Sequence, residues 1–127
     1  QAYFRHVPRE RWHETSFFNY FASSKIGDDR NPLTKLLDVC EPDDFCSIKI
    51  DVDSLELHEQ WIQQILDNEE LQNRIDELFI EVEMVGQIEI WNGPGATRKD
   101  MNLMSPGRLY DMLGILRELG IRAHAWV

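Results

Sequence analysis

Positive charge is scarce in this chain. Thirteen Lys and Arg residues stand against 23 Asp and Glu among 127 residues, a formal net charge of −10. Binding a nucleic-acid backbone requires clustered cations, so no nucleic-acid partner is expected. Long apolar runs are also missing, and nothing approaches the ~18–20 residues of a membrane-spanning helix. The opening residues, Gln1-Ala2-Tyr3-Phe4-Arg5, lack the apolar stretch of a secretory signal and an initiator Met. The chain is therefore expected to be processed, or to be a piece of something longer. Cysteine is nearly absent: Cys40 and Cys46 alone make neither a zinc site nor a disulfide scaffold. They read as reduced thiols at the edge of the core, with a local disulfide as the alternative. Internal repeats, low-complexity tracts, Asn-x-Ser/Thr acceptors and a G-x-S-x-G nucleophile elbow are missing as well.

What is present suffices for a core. Hydrophobic residues make up 43% of the chain and aromatics 10%, and the length suits one domain, which commonly has ~100–150 residues. Residues 1–15 are polar and aperiodic and read as an N-terminal arm or linker. Ser16-Phe17-Phe18-Asn19-Tyr20-Phe21-Ala22 reads as a strand, followed by turn chemistry through Gly27, Asp28, Asp29 and Asn31. Pro32 opens a short helix with Leu33, Leu36, Leu37 and Cys40 on one face, stopped at Glu41-Pro42-Asp43-Asp44. Phe45 to Asp51 is the next strand, with Cys46, Ile48, Ile50 and Val52 on one face and Ser47, Lys49, Asp51 and Asp53 on the other.

A helix follows at once. Asp53-Ser54-Leu55-Glu56 has the form of a capping box with Asp53 as N-cap, and Leu57, Trp61, Ile62, Ile65 and Leu66 recur at helical spacing. Asn68 caps a second short helix through Leu71 and Ile75. Leu78 to Val85 is a third strand. Gly86 to Ser105 then runs for roughly 20 residues without clear periodicity, longer than most loops. Either Gln87 to Trp91 adds a small strand there, or the segment is a lid or contact loop. Ser105 and Pro106 start a last helix with a Leu109, Met112, Leu113, Leu116 and Leu119 stripe, and Gly120 ends it. Ile121 to Val127 is the closing strand. Strands alternating with helices predict βαβ crossovers and a mostly parallel sheet covered by helices on both faces.

In such a sheet, ligands sit outside the carboxyl ends of the strands. Asp51 and Asp53 lie at that end of one strand, and Glu81 and Glu83 lie on the next. These carboxylates are suited to binding a hard cation or to holding an amine or a hydroxyl, and of these the metal is not the expected occupant. His124 alternates outward with Arg122 and Trp126 and is the histidine placed to reach the same groove. His58 reads as solvent-facing, and nothing ties His6 or His13 to a site. Gly93-Pro94-Gly95 is too short for a phosphate loop and reads as a turn.

The segment Phe45-Cys46-Ser47-Ile48-Lys49-Ile50-Asp51-Val52-Asp53-Ser54-Leu55-Glu56-Leu57 resembles the hydrophobic-Lys-Ile-Asp-Val-Glu-Gly-x-Glu signature of FkbM-type S-adenosylmethionine-dependent methyltransferases. It is closer to a eukaryotic group of methyltransferase-like proteins in which an Asp and a Ser or Thr replace that Glu and Gly. Asn31 to Leu37, Asp76 to Val82 and Leu116 to Arg122 resemble the flanking elements in the same order, so the likeness covers about residues 16–127. It implies the C-terminal half of a Rossmann-like class I methyltransferase fold, a partial domain over 16–127. Asp51 would be the catalytic residue that orients the acceptor or serves as its base, with Asp53 shaping the helix end beside it. Glu81, Glu83 and His124 would line the substrate side. The Gly-x-Gly-x-Gly loop and the ribose-binding carboxylate of the family have no counterpart in these residues. S-adenosylmethionine is therefore expected only if an upstream half exists, and the isolated chain is expected to be inactive. The expected partner is that missing half or another protein; the alternative is a non-catalytic structural or binding subunit.

Overall fold

The computed structural model describes residues 8–14, 16, 21–52, 54–81 and 106–126. A short 3-10 helix spans Arg9–Glu14 inside the expected arm. Then come α1 (Pro32–Val39), β1 (Ser47–Ile50), α2 (Leu55–Asp67), α3 (Glu69–Arg74), β2 (Glu77–Glu81), α4 (Pro106–Glu118) and β3 (Arg122–Trp126). Phe21 and Ala22 are not in a strand, while Phe17 to Tyr20 and the segment from Val82 to Ser105 fall outside the described residues.

Local chemistry sets most boundaries. Asn31 caps α1, its side chain accepting from the Leu33 N–H at 3.0 Å, and Pro32 takes the first helical position. Asn68 serves two helices at once. Its N–H donates to the Ile65 carbonyl at the end of α2, and its side chain accepts from the N–H groups of Glu70 and Leu71 at the start of α3. At the end of α4, Gly120 adopts φ 92°, which only a residue without Cβ reaches easily. Its N–H donates to the Arg117 carbonyl while that of Ile121 reaches back to Leu116, so two terminal carbonyls are satisfied.

Two expected starts move. The N-cap of α2 is Ser54, one residue after the expected Asp53, and its hydroxyl accepts from the Leu57 N–H at 3.4 Å. Asp53 itself lies outside the described residues. Strand β1 begins at Ser47, two residues late, because the backbone at Cys46 is already engaged. Its N–H donates to the Asp76 carboxylate at 2.8 Å, and its carbonyl accepts from Asp76 and Glu77.

The sheet has the order β1-β2-β3 with both pairings parallel. Ile48 is opposite Leu78 and Leu78 opposite Ala123; Lys49 is opposite Phe79 and Phe79 opposite His124. One face therefore carries Ile50, Leu78, Ile80 and Ala123, all within 3% of full burial. It joins a single core with Leu33 of α1, Trp61, Ile62 and Ile65 of α2, Leu71 of α3, and the Leu109, Leu113 and Leu116 stripe of α4. The other face carries Ser47, Lys49, Glu77, Phe79, Glu81, Arg122 and His124, all exposed or half-buried. Helices on both faces were expected; among the described residues they cover one. In a parallel sheet whose strands follow one another in sequence order, crossovers of the usual right hand put their helices on the same side, which accounts for the difference.

The cysteines correct another expectation. Cys40 and Cys46 are paired in a disulfide, with Cα atoms 6.4 Å apart across the Glu41 to Asp44 turn. The turn returns the chain within the span a disulfide bridges, so neither thiol is free.

Candidate functional site

The register of β1 on β2 builds the site. Ile50 is opposite Ile80, so one step further Asp51 leaves β1 beside Glu81, the last residue of β2. Both side chains project from the open face at the carboxyl ends of neighbouring strands. Interaction with Glu81 and, after it, the adjacent Lys49 ammonium hold the Asp51 carboxyl below its ordinary range. Lys49 Nζ pairs directly with Asp51 Oδ2, and that pair is about half-exposed.

His58 was missed as a member of the site. It is 6% exposed in the first turns of α2, and its charge acts on Asp51 in the same direction as Lys49. It was expected to face solvent. The signal was there: His58 lies three and four positions before Trp61 and Ile62, on the stripe that α2 turns toward the core.

Of the other expected site residues, His124 is not brought to Asp51. It lies two residues below the end of β3, opposite Phe79 rather than Glu81. Its ring stacks on Phe79 with centroids 4.8 Å apart, and its Nε2 contacts Glu77 Oε1 at 3.1 Å. Asp53 and Glu83 lie outside the described residues. Among the described residues, no group of three or more His, Cys, Asp or Glu is arranged to hold a metal ion.

A cavity of about 350 Å³ borders the edge of β1 that has no strand partner among the described residues. Ile48, Ile50, Val52 and Trp61 give it apolar walls, and Arg30, Lys35, Lys49 and Asp51 supply the charges. The loop at 23–31 is fastened to α2 beside it. Trp61 Nε1 donates to the Ser23 carbonyl at 3.1 Å, Gln64 Nε2 to the Ser24 carbonyl at 2.6 Å, and buried Asn31 donates to Gln64 at 2.9 Å. Arg30 grips Asp28 through Nε and Nη2, holding that carboxyl far below the usual range. Asp29 and Asp38 flank Lys35 and raise its pKa.

The arrangement suits a neutral ligand with a hydroxyl or amine: Asp51 accepts from that group, and the cavity takes an apolar body. The turn from β1 into α2 contains no glycine, and the Ser54 N–H there is already used by the Val52 carbonyl at 2.7 Å. Comparison with family models, with curated proteins and with solved structures returns no match for this chain.

Proposed function

We propose that the chain is the acceptor-presenting half of a methyltransferase-like α/β unit acting on a small-molecule hydroxyl or amine. The observation that carries this reading is the Asp51–Glu81 carboxyl pair at the carboxyl ends of adjacent parallel strands, where open α/β sheets bind ligands. The likeness of residues 45–57 to the methyltransferase-like signature supports it, since Asp51 occupies the signature's acidic position. Lys49 keeps Asp51 ionised, and Asp51 orients the acceptor and takes its proton. Cofactor binding belongs to elements outside these 127 residues.

The test has two arms. Calorimetry of the 127-residue chain with S-adenosylmethionine is expected to give no micromolar binding; a micromolar constant contradicts the half-unit reading. In a longer natural protein carrying this chain, Asp51→Asn should leave cofactor affinity unchanged and reduce methyl transfer by about 100-fold, the scale of a lost general base. Unchanged transfer would remove Asp51 from the chemistry.

The second reading, a non-catalytic subunit, is favoured by the sheet face that no helix covers among the described residues. There Arg122 lies 5.0 Å over the Phe45 ring and His124 stacks on Phe79, the aromatic and cationic composition of a contact surface. An intact mass of 15.0 kDa for the natural protein would favour the subunit.

A further inference from the structure

The helical layer holds a second concavity, remote in sequence from Asp51 and Glu81. A groove of about 1080 Å³ runs between α1, the carboxyl end of α2 and the start of α3. Leu33, Leu37 and Leu71 form its aliphatic floor, and Ile26 stands on its rim, 78% exposed. Asp38, Asp67, Glu69 and Glu70 line it against one cation, Lys25.

Two of those carboxylates stand where their own helices disfavour them. Asp38 lies in the last turn of α1 and Asp67 is the last residue of α2, and neither helix has a basic residue in its last turn. A helix C-terminus carries partial negative charge and favours cations. Lys35 does pair with Asp38, but with the cation on the N-terminal side, the weaker order for a helical ion pair. Residues that break a local stability rule on the wall of one groove mark a surface shaped by something other than folding.

We infer that this groove docks a short basic amphipathic helix of a partner protein. The apolar face of that helix lies on Leu37 and Ile26, and its Lys or Arg side chains meet Asp38, Asp67 and Glu69. Charge complementarity selects a basic occupant, and the aliphatic floor selects one with apolar anchors at helical spacing rather than a bare polycation. The groove is at the upper end of the ~300–1,000 Å³ typical of small-ligand sites, which fits a peptide better than a metabolite.

The probe is a labelled Leu–Lys peptide with Leu at i, i+3, i+4 and i+7, read by fluorescence anisotropy at low salt. A scrambled peptide of identical composition is the control. Asp38→Lys with Asp67→Lys is expected to weaken binding by about tenfold or more while raising the melting temperature, because the new cations suit both helix ends. Asp111→Lys with Glu118→Lys, the same charge change placed on α4, should leave binding intact. Ile26→Asp, at a position too exposed to support the fold, should weaken binding as well. Equal losses from the two charge-reversed pairs, or equal binding of the scrambled peptide, would show general attraction to an acidic protein and overturn the proposal.

Discussion

The two faces of the sheet are built from alternate residues of the same strands, yet they are held in different ways. On the covered face, Ile50, Leu78, Ile80 and Ala123 are buried by four helices and held by packing. On the open face, Lys49, Asp51, Glu77, Phe79 and His124 are held by one another, through an ion pair, a ring stack and a His–Glu contact, and Asp51 lies beside Glu81. The contrast separates stability from chemistry. Removing a side chain from the first face should cost the fold, and removing one from the second should cost the site.

The largest expected effect is on the covered face. Ile80→Ala, at a residue with no exposure, should cost about 2–5 kcal/mol in urea denaturation. Its neighbour Phe79→Ala should cost about 1 kcal/mol, mostly the lost stack on His124. Equal losses would mean that the open face is covered in solution. Next in size is the disulfide. Reducing Cys40–Cys46 closes off a short-loop constraint worth roughly 2 kcal/mol, measured as a lower denaturation midpoint in reductant. An unchanged midpoint would restore the reduced-thiol expectation.

A smaller effect locates the start of α2. Ser54→Ala should cost about 0.5–1 kcal/mol, the lower part of the capping range, given the 3.4 Å contact to Leu57. A larger loss at Asp53→Ala than at Ser54→Ala would return the cap to Asp53. The smallest effect concerns pH. Asp51 has a depressed folded pKa, so its contribution is complete above the ordinary Asp range near pH ~4 and is lost as pH falls through the folded value. Wild type and Asp51→Asn should therefore converge in stability on acidification; a gap that widens would contradict the sign.

Much of the covered face was legible in the sequence because burial follows period. The alternation Cys46, Ile48, Ile50, Val52 and the stripe Leu109, Leu113, Leu116 each needed only counting, and Asn31-Pro32, Asn68 and Gly120 are boundary signals with direct causes. The open face was less legible because its partnerships run between strands. That Asp51 meets Glu81 rather than His124 is set by a register no single strand contains. The one-sided helical layer depends on strand order, which the alternation of elements does not fix. His58 was misread for another reason: it was placed by its nearness to the helix start instead of by its spacing to Trp61 and Ile62. The disulfide turned on the path of a Pro-containing turn, where spacing alone allowed both states.

The most direct measurement is a carbon-13 NMR titration of the Asp51 and Glu81 side-chain carboxyls, in wild type and in Glu81→Ala. A Glu81 side chain that favours the ionised form of Asp51 requires Asp51 to titrate below the ordinary value of ~3.9 and to move upward when Glu81 is removed. An Asp51 that titrates in the ordinary range and does not respond to Glu81→Ala would mean that the two carboxyls are not paired and that the site is not built as described.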